Sequence, residues 1–136
     1  MSFYARFSAS GALSSLKDLR LHWNQIGDDG LKALAEACAS GALASLKELN
    51  LAMNQIGDAG LNALAEAIKP TANNASGALA SLTTLELWGN AIGDDGMKAL
   101  ADACASGALA SLKELVVDNS EHPALEAACL ARGIDV

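Results

Sequence analysis

Cysteine, proline, aromatic and basic residues are all scarce in this chain of 136 residues. The three cysteines, Cys38, Cys104 and Cys129, are odd in number and form no C-x-x-C pair, so the sequence indicates neither a disulfide framework nor a zinc site. Nine lysines and arginines against sixteen acidic residues give a net charge of −7. This balance argues against nucleic acid as a partner, because phosphate binding needs a cationic surface.

Long apolar runs are also missing from the sequence. No run approaches the ~20 residues that a membrane-spanning helix needs, and the opening "MSFYARFSAS" lacks the apolar stretch of a signal peptide. We therefore expect a cytoplasmic protein with no membrane partner. Apolar residues still make up 51% of the chain, which favours one folded domain over residues 1–136.

What the sequence has in abundance is an internal repeat. "ACASGALASLKEL" occurs at 37–49 and again, unchanged, at 103–115. The equivalent residues Leu13, Leu43, Leu79 and Leu109 are separated by 30, 36 and 30 positions, and the six extra residues are "KPTANN" at 69–74. This spacing predicts an N-terminal cap or half repeat at 1–12, repeats at 13–42, 43–78 and 79–108, and a divergent C-terminal capping repeat at 109–136.

Each repeat changes its period halfway. The first half reads L-x-x-L-x-L-x-x-N-x-I-G, whose alternation predicts a short strand. The second half places apolar residues at i, i+3, i+4 and i+7, which predicts a helix. We expect the strands to form one parallel sheet of an α/β solenoid, curved and right-handed, with the helices on its convex side. The equivalent asparagines should form a ladder between turns (Asn24, Asn54, Asn90), and the equivalent aspartates should cap the helices (Asp28, Asp58, Asp94).

The two ends depart from the repeat. All the Phe and Tyr residues lie in one N-terminal segment, where they could cover the first strand (Phe3, Tyr4, Phe7). At the other end Pro123 can open a last helix that Gly133 ends. An apolar stripe would face the core from this helix (Leu125, Ala128, Cys129), with Arg132 pointing outward.

The motif that begins at Leu16 and ends at Gly27, followed by a long helix, resembles the ribonuclease-inhibitor-like class of leucine-rich repeat. The resemblance covers roughly residues 8–119, with the motif recurring in register. It implies a fragment of a horseshoe whose strands line a concave face, and a protein as the partner. No catalytic signature of that class can be placed on this chain, so we expect neither an enzyme nor a cofactor.

Outward positions of the strands vary while the inward leucines stay constant, so the outward positions are where recognition can be encoded. Arg20, Asn50 and Glu86 share one row, and His22 and Trp88 would flank Ala52 in the next. Trp23 and Met53 lie where the strand turns, so Trp23 could face either the core or the cleft. The predicted protein-binding residues are Arg20, His22, Trp23, Asn50, Ala52, Met53, Glu86 and Trp88.

One other function follows from the same pattern. The first strand, near Leu19, has no repeat before it, and an open strand edge invites pairing. A scaffold that forms a homo-oligomer through this end, without a dedicated ligand site, is therefore the alternative. Four strands also give a face of only roughly 300 Å², whereas a stable interface takes about 800 Å² per partner.

Overall fold

Four strand–helix pairs make up the computed structural model, which describes residues 13–72, 74–118 and 122–136. In chain order the elements are β1 (Asp18–Arg20), α1 (Gly27–Ala39), β2 (Glu48–Asn50), α2 (Asp58–Ile68), β3 (Thr84–Glu86), α3 (Asp94–Ala105), β4 (Glu114–Val116) and α4 (Pro123–Arg132).

The strands form one parallel sheet in the order β1-β2-β3-β4, which confirms the predicted α/β solenoid. Leu19, Leu49, Leu85 and Leu115 are paired directly across it. Each strand has three residues, and the main-chain pairing continues beyond it, since the Trp23 N–H donates to the Ala52 oxygen at 3.0 Å. Each helix packs against the next helix along the chain.

The core lies between the sheet and the helices. The leucines of β2 and β3, with Leu51 and Leu87 just beyond them, are fully buried. The first repeat contributes leucines that are only partly buried against this core: Leu13, Leu16, Leu19 and Leu21. The core is therefore complete in the middle of the stack and thinner at its first repeat.

The three cysteines are buried packing residues. Cys38 and Cys104 are buried at the helix position that Ile68 occupies in the second repeat, and Cys129 is buried in α4. Burial raises the pKa of Cys38 to about 12 and that of Cys129 to about 11, so neither thiol is ionised near neutral pH.

The inserted segment 69–74 leaves the repeat intact. Helix α2 ends at Ile68, just before Lys69 and Pro70. The Ala78 N–H then donates to the Ala67 oxygen at 3.2 Å, which is the same closing bond that other helices make from Ala42 to Ala37 and from Ala108 to Ala103. The chain therefore makes the same closing hydrogen bond after the insertion as the other repeats make without one.

The predicted asparagine ladder is confirmed for Asn54 and Asn90, whereas Asn24 bonds only within its own turn. Asn54 is fully buried, and its Nδ2 donates to the oxygens of Leu21, Leu51 and Ala52 at 2.8–3.1 Å. Its Oδ1 accepts the Ile26 N–H, in a longer contact of 3.4 Å. Asn90 repeats the arrangement one turn later. The side chain of each of these asparagines therefore joins its own turn to the preceding one.

The aspartates do not cap their own helices, and that expectation is wrong. Asp28 Oδ1 accepts the N–H groups of Gly57 and Gly60 at 2.7 and 2.9 Å, at the start of the next repeat's helix. Asp58 does the same for the helix after it. Each Asp lies within or beside the first turn of its own helix, and its carboxylate reaches sideways to the adjacent one. A Cβ at Gly60 would lie 2.6 Å from Asp28 Oδ1, so the carboxylate requires glycine there.

The C-terminal repeat closes the stack partly as predicted. Leu125 and Cys129 are buried, Gly133 has a φ of 69°, and Ile134 packs back against the core. Arg132 does not point outward. Its guanidinium donates to the oxygens of Cys104, Ala108 and Leu109 at 2.5–3.0 Å, because its position on α4 continues the core-facing stripe.

The chain after α4 returns to the sheet. The Leu115 N–H donates to the Asp135 oxygen at 2.8 Å, and the Asp135 N–H donates to the Lys113 oxygen at 2.9 Å. The outer edge of β4 is thereby paired. The predicted N-terminal cap at 1–12, with Phe3, Tyr4 and Phe7, lies outside the described residues.

Candidate recognition surface

The outward side chains of the strands form an acidic groove across the sheet. A cavity of about 350 Å³ runs over its open face. We define the groove by the lining side chains that point away from the core: Asp18, Arg20, His22, Glu48, Asn50, Thr84, Glu86 and Glu114. Four carboxylates in this set face one arginine.

That arginine is already paired. The Arg20 guanidinium donates to Asp18 Oδ2 at 2.9 Å, and this hydrogen bond and the carboxylate's charge raise the pKa of Arg20 above its usual value. Arg20 is largely exposed and Asp18 is partly exposed, so the pair contributes little to stability. The three glutamates that remain give the groove a negative potential, which attracts cationic groups.

The cleft expected between His22 and Trp88 is not formed as predicted. Ala52 is fully buried, so its methyl group is not an open floor for a ligand. The main chain of Ala52 is already hydrogen-bonded: its N–H donates to Asn50 Oδ1 and its oxygen accepts the Trp23 N–H. Trp88 is half-buried, and its Nε1 lies 3.4 Å from Glu86 Oε1, at the border of the groove.

Trp23 faces solvent, which resolves the question that its position in the sequence leaves open. Its side chain is 66% exposed, and its backbone is left-handed with a φ of 60°. Met53 and Gly89 have the same backbone conformation in the next two repeats, so the turn itself imposes it. For a bulky residue this conformation costs about 1–2 kcal/mol.

A second cavity, of about 540 Å³, lies beside Trp23 at the edge of the sheet where the strands end. We call its lining the Trp23 shelf: Trp23, Asn24, Gln25, Met53, Gln55, Gly89, Asn90 and Ala91. The Met53 side chain lies over Gly89, where a Cβ would overlap its sulfur. The shelf therefore offers an indole and a thioether among amides, next to a charged groove.

Sequence reasoning missed one complete row of the groove. Asp18, Glu48, Thr84 and Glu114 each come one position before the inward leucine of their strand, so the same alternation that selected Arg20 places them on the open face. Their recurrent acidity was the signal that could have found them.

His122 lies immediately before α4, at the helix boundary that the sequence indicates. Its Nδ1 is 3.9 Å from Asp94 Oδ1. Within residues 13–72, 74–118 and 122–136, no cluster of His, Cys, Asp and Glu has the geometry to hold a metal ion. In the same residues, no helix has both the length and the apolar character to cross a membrane.

Comparison with protein families identifies the repeat. The model of the family described as Leucine Rich repeat matches residues 12–35, 42–65 and 78–101, which together exceed half of the chain. The chain is a leucine-rich repeat protein. Its three matches begin one residue before Leu13, Leu43 and Leu79, so the family match and the sequence spacing agree on the phase of the repeats.

No curated protein matches this leucine-rich repeat chain. Leucine-rich repeats are generally protein-interaction modules, and in this one the acidic groove and the Trp23 shelf are surfaces with open cavities beside the sheet. The repeat family thus gives the general role, and the side chains on these two surfaces give the chemistry available to a partner.

Proposed function

We propose that this protein is a recognition module that binds another protein through the concave face of its sheet and the adjoining Trp23 shelf. The observation that carries the proposal is the exposed indole of Trp23. A large apolar side chain held in solvent on a left-handed backbone costs stability twice, because a glycine would relieve the backbone strain and a polar residue would suit the exposure. Such a residue fits a contact surface, where tryptophan is enriched among the residues that dominate binding energy.

The chemistry of the acidic groove favours a partner segment that carries lysine or arginine. Glu48, Glu86 and Glu114 lie on it without a basic side chain paired to them in the described structure. Arg20, His22, Asn50 and Trp88 supply hydrogen-bonding groups around the carboxylates. Met53 joins Trp23 on the shelf, and Ala52 takes no part because it is buried.

The size of the surface supports the use of both regions. The sheet face alone falls short of the roughly 800 Å² per partner of a standard interface. The Trp23 shelf extends the surface past the ends of the strands. The long helix in each repeat further leads us to propose that the repeats belong to the ribonuclease-inhibitor-like class.

The test is comparative affinity capture with four versions of the full chain as bait. Wild type is compared with Trp23→Gly, which keeps the left-handed turn, with Glu48→Lys, which reverses charge in the groove, and with Leu130→Ala. Leu130 is 83% exposed on α4, so its truncation is the matched loss of an exposed apolar side chain elsewhere.

Proteins bound by wild type and by Leu130→Ala should be lost from the other two baits. A purified partner should then bind Trp23→Gly at least about 10-fold more weakly. Binding that involves the groove should also weaken as salt is raised. Equal capture by all four baits would remove the concave face and the shelf from the function.

A further inference from the structure

Among the residues that the structure describes, the outer edge of β1 is unpaired. The Lys17 oxygen and the Leu21 N–H bond to β2, and since peptide groups alternate in direction along a strand, those of Asp18 and Arg20 point away from the sheet. No described residue pairs with this side of β1, whereas Asp135 pairs with the outer edge of β4. The two ends of the sheet are therefore not equivalent.

Apolar surface accompanies the open edge. Leu19 and Leu21 are only partly buried, while the equivalent leucines of β2 and β3 are fully buried. Leu13, Leu16 and Ile26 show the same incomplete burial. Strand edges with adjoining apolar surface are the parts of a sheet that accept another strand.

We propose that two copies of this chain pair along β1, antiparallel, with Leu19 of one copy opposite Leu19 of the other. A two-fold axis at this point uses the same patch on both copies, as a closed dimer requires. Asp18 of each copy then lies opposite Arg20 of the other, and these two pairs of residues exchange four main-chain hydrogen bonds. The outward peptide groups of both residues are satisfied together.

The charges of Asp18 and Arg20 favour this register over the registers in which the two-fold axis lies at either of those residues. An axis at Asp18 would place two carboxylates opposite each other, and an axis at Arg20 would place two guanidinium groups opposite each other. Like charges directly across a strand pair are destabilising, and opposite charges are stabilising. With the axis at Leu19, the existing Asp18–Arg20 ion pair of each copy joins that of the other in an alternating cluster of four charges.

The dimer would join two four-stranded sheets into one continuous face of eight strands. The two acidic grooves would then lie side by side. The pairing itself uses only main-chain groups of β1 and the side chains of Asp18, Arg20 and the neighbouring leucines, so it stands independently of the proposed recognition of a partner.

Sedimentation equilibrium of the full chain tests the pairing, from about 10 µM to about 1 mM because short edges associate weakly. Asp18→Arg and Arg20→Asp each place like charges opposite each other twice, so each should lower the association constant about tenfold. The double variant Asp18→Arg/Arg20→Asp restores both opposite pairs and should dimerise like wild type. Asp102→Arg and Lys98→Asp change net charge equally on the exposed face of α3 and serve as controls.

The decisive measurement mixes the two single variants. Each should be largely monomeric alone, yet an equimolar mixture should form the heterodimer, because the introduced arginine meets the introduced aspartate. Circular dichroism of each variant checks that it is folded, which is expected because both side chains lie at the surface of the sheet. A wild type that is monomeric at about 1 mM, single variants that dimerise normally, or folded variants that fail to combine would each overturn the proposal.

Discussion

The junctions between the first three repeats differ from the junction between the third repeat and the last. At the first two, an Asp carboxylate caps the next helix and an Asn amide joins adjacent turns. At the last junction neither device recurs in the described residues. Arg132 bonds there to three carbonyl oxygens of the third repeat and the turn after it, and Asp118 accepts the Gly89 N–H.

This contrast shows that cohesion between repeats depends on how main-chain groups are satisfied at each boundary, beyond the burial of leucines. The leucine of the strand is buried to the same degree in β2, β3 and β4, so the apolar contribution is similar at these boundaries. The polar contacts are what change. The internal repeats supply these contacts with short Asp and Asn side chains, while the last repeat supplies them with the long side chain of Arg132.

The largest expected effect concerns the buried amide of the ladder. Asn54→Leu keeps the volume of the side chain but removes the three hydrogen bonds that Nδ2 donates and the one that Oδ1 accepts from the Ile26 N–H, so it should lower the free energy of unfolding by about 3 kcal/mol. Asn24→Leu should cost under about 1 kcal/mol, because Asn24 is exposed and bonds only within its own turn. Urea denaturation measures both, and equal losses would contradict a ladder that acts between turns.

An intermediate effect is expected at the last junction. Arg132→Met keeps an apolar stem of similar length and removes the donors to the three carbonyl oxygens, so stability should fall by about 2 kcal/mol. Hydrogen exchange should then be faster in α4 while the amides of α2 stay protected. A loss of protection spread evenly over all four helices would argue against a contact local to this boundary.

The smallest effect compares two aspartates that hold equivalent places in the sequence. Asp28→Ala removes the cap of α2 and should cost about 1 kcal/mol. Asp94→Ala should cost much less, since the Asp94 carboxylate is almost entirely exposed. Both lie in the first turn of their own helix, so their difference in thermal stability isolates the cap between repeats. Matching losses would mean that the carboxylates act on their own helix dipole only.

Much of the architecture could be predicted because it depends on periodicity. Leu19 and Leu49 recur at fixed intervals, and a period of two followed by a helical stripe leaves few arrangements open. The direction of the Asp28 side chain could not be predicted in this way, because spacing within one repeat does not tell which neighbour's N–H groups lie within 3 Å of it. The burial of Ala52 was missed for a similar reason, since it depends on the side chains in adjacent turns.

The exposure of Trp23 depends on backbone conformation, which hydrophobic alternation does not encode. Gly89 at the same position of a later repeat was the one hint that the turn there is left-handed. Arg132 was misplaced because its charge suggested the surface, although its spacing from Leu125 continues the stripe that faces the core. In both cases local geometry outweighed the residue's general preference for inside or outside.

The forward reach of Asp28 and Asp58 has a consequence for how such a chain can grow. Because each carboxylate accepts N–H groups of the following unit, Asp58 would cap the helix of a whole unit inserted between Asp58 and Gly93. The equivalent aspartate of the inserted unit would then cap the helix that begins after Gly93. Lengthening in the interior would therefore preserve every contact of this kind. The last aspartate has no following pair of glycine N–H groups to accept. Among the described residues that aspartate is Asp94, whose carboxylate is almost entirely exposed beside His122.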